Sequence, residues 1–167
     1  MEKLNLACKG WIAMDSVTRQ CAGAQANKGQ EAITFQRGLP GLGQHREFNL
    51  FPIENNPLFY YLQSINDPDL GLILIDPFPC FPDYSLELNE QDKKEMELER
   101  KEDVLVFTTV TVLGEGKLTT NLSGPIVINA KKRLAKQLII PDRINEMRTP
   151  LPLEAGENGD ETLENSE

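Results

Sequence analysis

The sequence predicts an all-β domain, built as a small antiparallel β-barrel-like fold with one short peripheral helix. Short apolar runs rich in β-branched and aromatic side chains recur along the chain, and glycine and proline turns separate them. Only one segment carries the signals of a helix. Closing the sheet on itself would hide the edges that such strands otherwise expose. The 167 residues, 40% hydrophobic and 26% charged, fit one globular domain.

The first thirty residues show no clear period, so we assign residues 1–30 to a divergent N-terminal arm. An irregular segment and a first strand both stay open there. Ile33–Phe35 is a short strand, and Gly38–Gly43 ends it. A phosphate-binding glycine loop would need a helix after it. Because Glu47–Phe51 alternates like a strand instead, we interpret the glycines as a turn between strands.

The centre of the chain predicts an antiparallel hairpin. Leu58–Leu62 and Gly71–Ile75 are bulky apolar runs of strand length. Asn66–Asp69 joins them with turn residues, since proline presets one backbone angle and the Asx side chains bond their own backbone. Asp76–Asp83 contains three prolines, which withhold backbone donors, and therefore predicts an edge or an extended crossing segment.

The next segments predict one helix among further strands. Tyr84–Leu88 alternates as a half-buried strand, and Asn89 caps a short outer helix over Glu90–Glu99. Val104–Val112 is the longest strand. The remaining strands are Leu118–Leu122, Pro125–Asn129 and Ala135–Ile140. We interpret the basic triplet Lys131–Arg133 as a solvated hairpin turn.

The composition changes near the C-terminus. From Leu151 onward acidic residues have no basic partner, and after Leu151 itself only Leu153 and Leu163 are bulky apolar residues. Such a segment buries too little surface to offset its ordering entropy. We therefore predict a folded domain over residues 31–150 and an acidic disordered tail over residues 151–167.

Charge and cysteine usage exclude several function classes. The net charge of −9 argues against direct binding of nucleic acid or an anionic membrane, and favours a basic protein partner. Three cysteines without a C-x-x-C pair and a single histidine, His45, predict no disulfide framework, no metal site and no cofactor. No secretory signal is recognisable. We expect a cytoplasmic protein with reduced thiols.

An enzymatic function is not predicted. Asp67, Asp69, Asp76 and Asp83 offer carboxylates for acid–base chemistry, yet no nucleophile motif accompanies the lone histidine. A calcium loop would need glycine at its sixth position, whereas Gly71 comes at the fifth. Solvated turn aspartates explain the pattern better.

The same stretch of sequence carries a family resemblance. The motifs run in order along residues 33–140: Ile33–Phe35, Gly38–Gly41, Leu62–Ile65 with Asp67–Leu70, Asp76–Phe78, Phe81–Tyr84, Glu102–Val104, Thr120–Leu122 and Pro125–Asn129. Together they resemble the flagellar assembly factor FliW family. The resemblance implies a compact barrel-like fold and two protein partners, flagellin and the RNA-binding carbon storage regulator CsrA. Binding that regulator would relieve translational repression of flagellin.

The candidate partner-binding residues come from three places in the sequence. They are Asn66, Asp67 and Asp69 in the acidic turn, Phe78, Phe81, Asp83 and Tyr84 in the proline–aromatic segment, and Asn121 and Asn129 around a proline-containing strand. Each has a structural alternative. The aspartates form turns, the aromatics plug one end of the barrel, and the asparagines finish a strand. An alternative function is a small-ligand-binding or catalytic barrel, for example one that binds flavin.

Overall fold

Nine strands and one α-helix form the part of the chain described by the computed structural model, residues 31–154. The predicted N-terminal arm lies outside these residues. The strands are β1 (Ile33–Phe35), β2 (Glu47–Ile53), β3 (Asn56–Ser64), β4 (Gly71–Ile75), β5 (Val104–Val112), β6 (Lys117–Thr120), β7 (Ile126–Asn129), β8 (Leu134–Gln137) and β9 (Thr149–Glu154). Helix α1 covers Glu90–Glu95, and short 3₁₀ turns lie at Lys101–Asp103, Gly114–Gly116 and Pro141–Glu146.

Seven of the strands close into a ring. The pairing order runs β4-β3-β2-β1-β8-β7-β5, and a further pairing of β4 with β5 closes it. Most pairs are antiparallel, as expected, but β1 pairs with β8 in parallel. The all-β, barrel-like class is therefore confirmed. Closure gives each of the seven ring strands a neighbour on both sides, whereas the strands of an open sheet would end in two exposed edges.

The ring interior is the main hydrophobic core. Every ring strand contributes to it, with alternate residues turned inward as the pleat requires. Its fully buried members include Ile33, Phe35, Phe48, Leu62, Leu74, Ile126 and Ile128. Phe35 and Phe48 meet edge to face, with ring centroids 5.3 Å apart, a geometry that aromatic pairs favour.

The long strand β5 reaches beyond the ring. Its first half pairs with β7, while its last residues pair with β6, which in turn pairs with β9. Leu118 of β6 and Leu151 of β9 pack on a second cluster with Phe59 and Ile75. This arm thus covers the outer face of the β3–β4 hairpin.

The structure corrects three predicted segments before β5. The proline segment after Asp76 folds into turns, because the Phe81 amide donates to the Pro77 carbonyl at 2.9 Å. Residues 84–88 belong to no strand, although Leu86 and Leu88 do pack on a third cluster. Helix α1 starts as predicted but ends at Glu95, since Glu97 adopts a left-handed φ of 51°.

Strand β9, Thr149–Glu154, runs across the predicted tail boundary at residue 150. The chain pairs with β6 as far as Glu154, and Leu151 is buried at 6% exposure. The alternating prolines of this segment argue against a central strand, but an edge strand tolerates them. The ordered domain therefore extends past residue 150. The rest of the predicted tail, residues 155–167, lies outside the described residues.

Candidate protein-binding site

The fold divides the predicted site residues between two ends of one hairpin. The acidic turn, residues 66–69, connects β3 to β4, whereas residues 78–84 follow the other end of β4. A strand of this length holds its ends on the order of 17 Å apart. The acidic turn and the aromatic residues therefore do not form one continuous surface.

The acidic turn is held in a fixed conformation by its own side chains. The Asp67 carboxylate accepts a hydrogen bond from the Asp69 amide at 3.1 Å, and the Asp67 amide donates to Ser64 Oγ at 3.3 Å. Leu70 N donates to the Asp67 carbonyl, which completes the turn. Asp67 thus builds the turn, while Asn66 and Asp69 are exposed. The turn presents one free carboxylate and one amide to solvent.

The aromatic end combines a buried ring with an exposed one. Tyr84 is 5% exposed and donates its hydroxyl to the Leu122 carbonyl at 3.1 Å. Burial raises the pKa of Tyr84 to about 12. The Arg143 guanidinium lies 4.9 Å over the Tyr84 ring, which is a cation–π contact. Phe78 lies beside Tyr84, with centroids 5.8 Å apart, and is 43% exposed.

The aromatic residues of this segment differ in burial. Tyr84 is buried with its hydroxyl on the Leu122 carbonyl, and Phe81 packs partly buried against the second cluster. Phe78 faces solvent. Asp83 is also exposed beside them. Only Phe78 and Asp83 of this group present side chains that a partner can reach without rearrangement.

Asn121 folds the loop between β6 and β7. Its side-chain oxygen accepts hydrogen bonds from the Ser123 hydroxyl at 2.8 Å and from the Ser123 and Gly124 amides at 3.1 Å. A Cβ on Gly124 would lie 2.9 Å from Asn121 Nδ2, so this position leaves no room for a side chain. Asn121 is half-buried, and the bonds of its side-chain oxygen are structural.

Asn129 joins the end of β7 to helix α1. It is 2% exposed, and its side-chain amide donates to the Met96 carbonyl at 2.9 Å and the Glu97 carbonyl at 3.1 Å. Its side-chain oxygen accepts from the Lys131 and Lys132 amides at 3.0 and 3.1 Å. Both polar atoms of the side chain are used inside the fold, and the side chain is closed to a partner.

Sequence reasoning missed a charged cleft beside α1. It measures about 280 Å³ and lies between the loop after β1, helix α1 and β8. Lys136 Nζ bonds Asp92 at 2.6 Å and Glu95 at 2.7 Å, and Arg37 bonds Glu95 at 2.7 Å. Arg37 and Lys136 each stand tens of residues away from α1 in the sequence. The spacing of Asp92 and Glu95, three apart on one helix face, was the one local signal of a shared basic partner.

The charged groups of this network stabilise one another. Hydrogen bonds from Lys136 and then Gln91 lower the pKa of Glu95 below its ordinary value. Hydrogen bonds to Asp92 and then Glu95 raise the pKa of Lys136. The cleft is slightly smaller than the roughly 300–1,000 Å³ of typical small-molecule sites. Its size and its paired charges give no support to the alternative of a flavin site.

Residues 31–154 contain no group of three or more histidine, cysteine, aspartate or glutamate side chains placed to hold a metal ion. No helix in that range is long and apolar enough to cross a bilayer.

These features define a class of protein. The described domain is a strand ring whose accessible candidate groups are a rigid acidic turn and a partly exposed aromatic residue. Such groups are typical of protein-recognition surfaces.

Comparison with known proteins places the chain in a family. The family model described as FliW protein matches residues 16–151. The flagellar assembly factor FliW of Clostridium botulinum is 37% identical over 123 residues, covering 73% of this chain and 86% of that protein. The FliW of Shouchella clausii is 38% identical over 133 residues, covering 79% and 90%. A crystal structure of the flagellar assembly factor FliW superposes with a TM-score of 0.67 at 31% identity, covering 81% of this chain and 92% of that chain. The chain therefore belongs to the FliW family of flagellar assembly factors.

Proposed function

We propose that this protein is a non-enzymatic, cytoplasmic binding factor that captures flagellin and the RNA-binding regulator CsrA. Binding the regulator relieves its repression of flagellin translation. Family membership over most of the chain is the observation that carries the proposal. The net charge of −9 supports it, since a protein that binds RNA presents lysine and arginine toward phosphates.

The acidic turn is the surface we assign to the regulator. Asp69 is exposed at a turn that Asp67 fixes, so its charge is held in one place at little entropic cost. A fixed negative charge steers a basic partner and speeds its association. Asn66 beside it offers an amide for hydrogen bonding.

The aromatic end is the surface we assign to a second protein contact. Phe78 is exposed beside Tyr84, and Ile144, next in the chain to Arg143, is 54% exposed. Exposed apolar side chains rimmed by charges such as Asp83 are typical of protein interfaces. Tyr84 packs beside the Phe78 ring, with centroids 5.8 Å apart. Asn121 and Asn129 shape the fold and are not part of either surface.

The test of the regulator surface is a single charge reversal, Asp69→Lys. Asp67 is left intact because its carboxylate accepts the Asp69 amide. Rim charges are each worth ~0.2–1 kcal/mol, so reversal predicts association slowed about three- to tenfold at low salt. Stopped-flow measurements at about 0.05 and 0.3 M salt, where the screening length falls more than twofold, show whether the effect is electrostatic.

A matched control distinguishes the effect of charge at the acidic turn from the effect of the protein's net charge. Glu87→Lys changes the net charge equally at another exposed acidic position. We expect it to slow association less than about twofold, because it lies away from the turn. Equal effects of the two reversals would show that the acidic turn is not the docking surface. If the wild-type protein binds neither flagellin nor CsrA, the proposed function itself is refuted.

A further inference from the structure

Strand β4 has an edge at its first residues that β5 does not cover. β4 pairs with β5 only at Leu74 and Ile75, which lie opposite Thr109 and Thr108. Beyond that point β5 leaves the ring, because its last residues pair with β6, which packs over the outer face of the β3–β4 hairpin. Within the described part of the chain, Gly71–Ile73 therefore pair with β3 on one side and with no strand on the other.

The backbone of this edge points to the open side. The Ser64 amide of β3 donates to the Leu70 carbonyl at 2.9 Å, so Leu70 directs its backbone groups toward β3. Backbone groups alternate in direction along a strand, so Leu72 does the same, whereas Gly71 and Ile73 direct theirs to the β5 side. The Gly71 amide and carbonyl and the Ile73 amide can therefore accept the backbone of an added strand.

Side chains cover both faces of this edge and leave the edge itself free. A Cβ on Gly71 would overlap the Tyr61 hydroxyl group, so the end of the Tyr61 side chain lies over the face where other residues carry their own. On the other face Leu72 packs against the main core. The residues of Gly71–Ile73 are half-buried accordingly. The surface left to a partner is the hydrogen-bonding edge.

The adjoining acidic turn gives this edge a negative charge that is not neutralised. Asp69 lies two residues before Gly71 and is exposed, and Asp67 holds the Asp69 amide with its carboxylate. Neither aspartate forms an ion pair with any residue of the described domain. Two residues of a strand span about 7 Å, which a lysine or arginine side chain on a segment beside Gly71 can bridge.

Exposed apolar side chains flank the edge. Ile65, 42% exposed, lies just before the turn, and Val112, 37% exposed, ends β5. If the register between β4 and β5 continued, Val112 would lie opposite Gly71. A segment added to β4 would therefore pass beside Val112, with apolar contacts available next to the charged one.

We propose that an extended basic segment of the regulator CsrA adds to the β4 edge at Gly71–Ile73 and places a lysine or arginine against Asp69. Strand addition is a recurring mode of peptide recognition, in which main-chain hydrogen bonds supply affinity and side chains supply specificity. The unpaired aspartates select the regulator over flagellin, because a protein that binds RNA carries lysine and arginine for the phosphates. The inference rests on the proposed function and names the contact that the regulator makes beside the acidic turn.

The first measurement is residue-resolved amide hydrogen exchange of the full chain, alone and with purified CsrA. In the free protein we expect the Gly71 amide to exchange about tenfold or more faster than the Leu72 amide, since Leu72 pairs with Leu62 of β3. CsrA should slow the Gly71 amide by about tenfold or more. Equally slow exchange of the two amides in the free protein would overturn the inference, since another part of this chain would then occupy the edge.

The second measurement uses a matched pair of variants on β5. Val112→Arg puts a positive charge beside the proposed segment, whereas Leu105→Arg makes the same change on the same strand at an equal exposure of 37%. The two positions are about 23 Å apart along the strand. By calorimetry we expect the first variant to bind CsrA about tenfold more weakly and the second to change binding by less than about twofold. Thermal melts check that both variants fold.

The outcomes separate this inference from the proposed function. If CsrA does not bind the wild-type chain, the inference falls together with the regulator part of the proposed function. If CsrA binds while the Gly71 exchange rate is unchanged, or while the two arginine variants bind equally well, the edge inference is wrong and the proposed function stands. The same holds if flagellin, and not CsrA, slows exchange at Gly71.

Discussion

Asn129 offers a direct test of whether this residue serves a partner or the fold. Asn129→Ala removes two donors that hold the Met96 and Glu97 carbonyls and one acceptor that holds the Lys131 and Lys132 amides. These contacts connect β7, α1 and the β7–β8 turn. The variant should therefore loosen α1 from the strand ring.

The size of the effect follows from burial. The bond to the Met96 carbonyl is buried, and orphaning such a carbonyl costs about 1–3 kcal/mol. The other three bonds are part-buried, where water replaces the lost partner, so each contributes about 0.5 kcal/mol. The total is about 3 kcal/mol, which lowers the melting temperature by about 10 °C for a domain of this size.

Urea unfolding followed by circular dichroism measures the change. Asn66→Ala, at an exposed asparagine of the acidic turn, is the control and should change stability by less than about 0.5 kcal/mol. Asn129→Asp keeps the acceptor but turns an oxygen toward the Met96 carbonyl, so at neutral pH it should cost at least as much as alanine. An Asn129→Ala protein as stable as the Asn66→Ala protein, yet impaired in binding flagellin or CsrA, would refute the structural role.

Two further predictions concern the charged network and the C-terminus. The lowered pKa of Glu95 stabilises the fold above its ordinary pKa of 4.5, and this contribution is lost as the pH falls through the folded pKa. Lys136→Met should therefore flatten the decrease in unfolding free energy between about pH 5 and pH 3, and an unchanged slope would show that the network is uncoupled from folding. A chain ending at Glu154 should match the full chain within about 0.5 kcal/mol, whereas one ending at Pro150 loses buried Leu151 and about 2 kcal/mol or more. Equal melting curves for the two truncations would show that β9 contributes nothing.

Local sequence signals correctly predicted the strands that combine an apolar run with turn residues at both ends. Ile33–Phe35, Gly71–Ile75 and Val104–Val112 have the bounds expected from their β-branched runs and flanking turns. The predicted strand over Tyr84–Leu88 was wrong because an alternating pattern indicates a half-buried face but does not show that a neighbouring strand pairs with it. Leu86 and Leu88 do lie on such a half-buried face. Strand β9 was missed because its prolines disfavour a central strand and only the three-dimensional pairing shows it at an edge.

The site was harder to predict than the fold because one residue type serves opposite purposes. Asn66 and Asn129 both precede turns in the sequence, yet one is exposed and the other has both side-chain polar atoms bonded inside the fold. The difference depends on whether α1 reaches the residue, and α1 lies some thirty positions earlier in the chain. The Arg37–Glu95–Lys136 network was not predicted for the same reason, since no local sequence pattern connects the three residues.

The separation of the two ends of the β3–β4 hairpin decides how the proposed surfaces can act together. The ends lie on the order of 17 Å apart, about twice the screening length of ~8 Å at physiological ionic strength. Asp69 at one end therefore contributes little to the field at Phe78 at the other. A basic partner steered to the acidic turn and an apolar segment bound near Phe78 would recognise different chemistry through independent contacts. If flagellin and CsrA exclude each other on this protein, the exclusion must then come from the bulk of the partners or from a shared third contact.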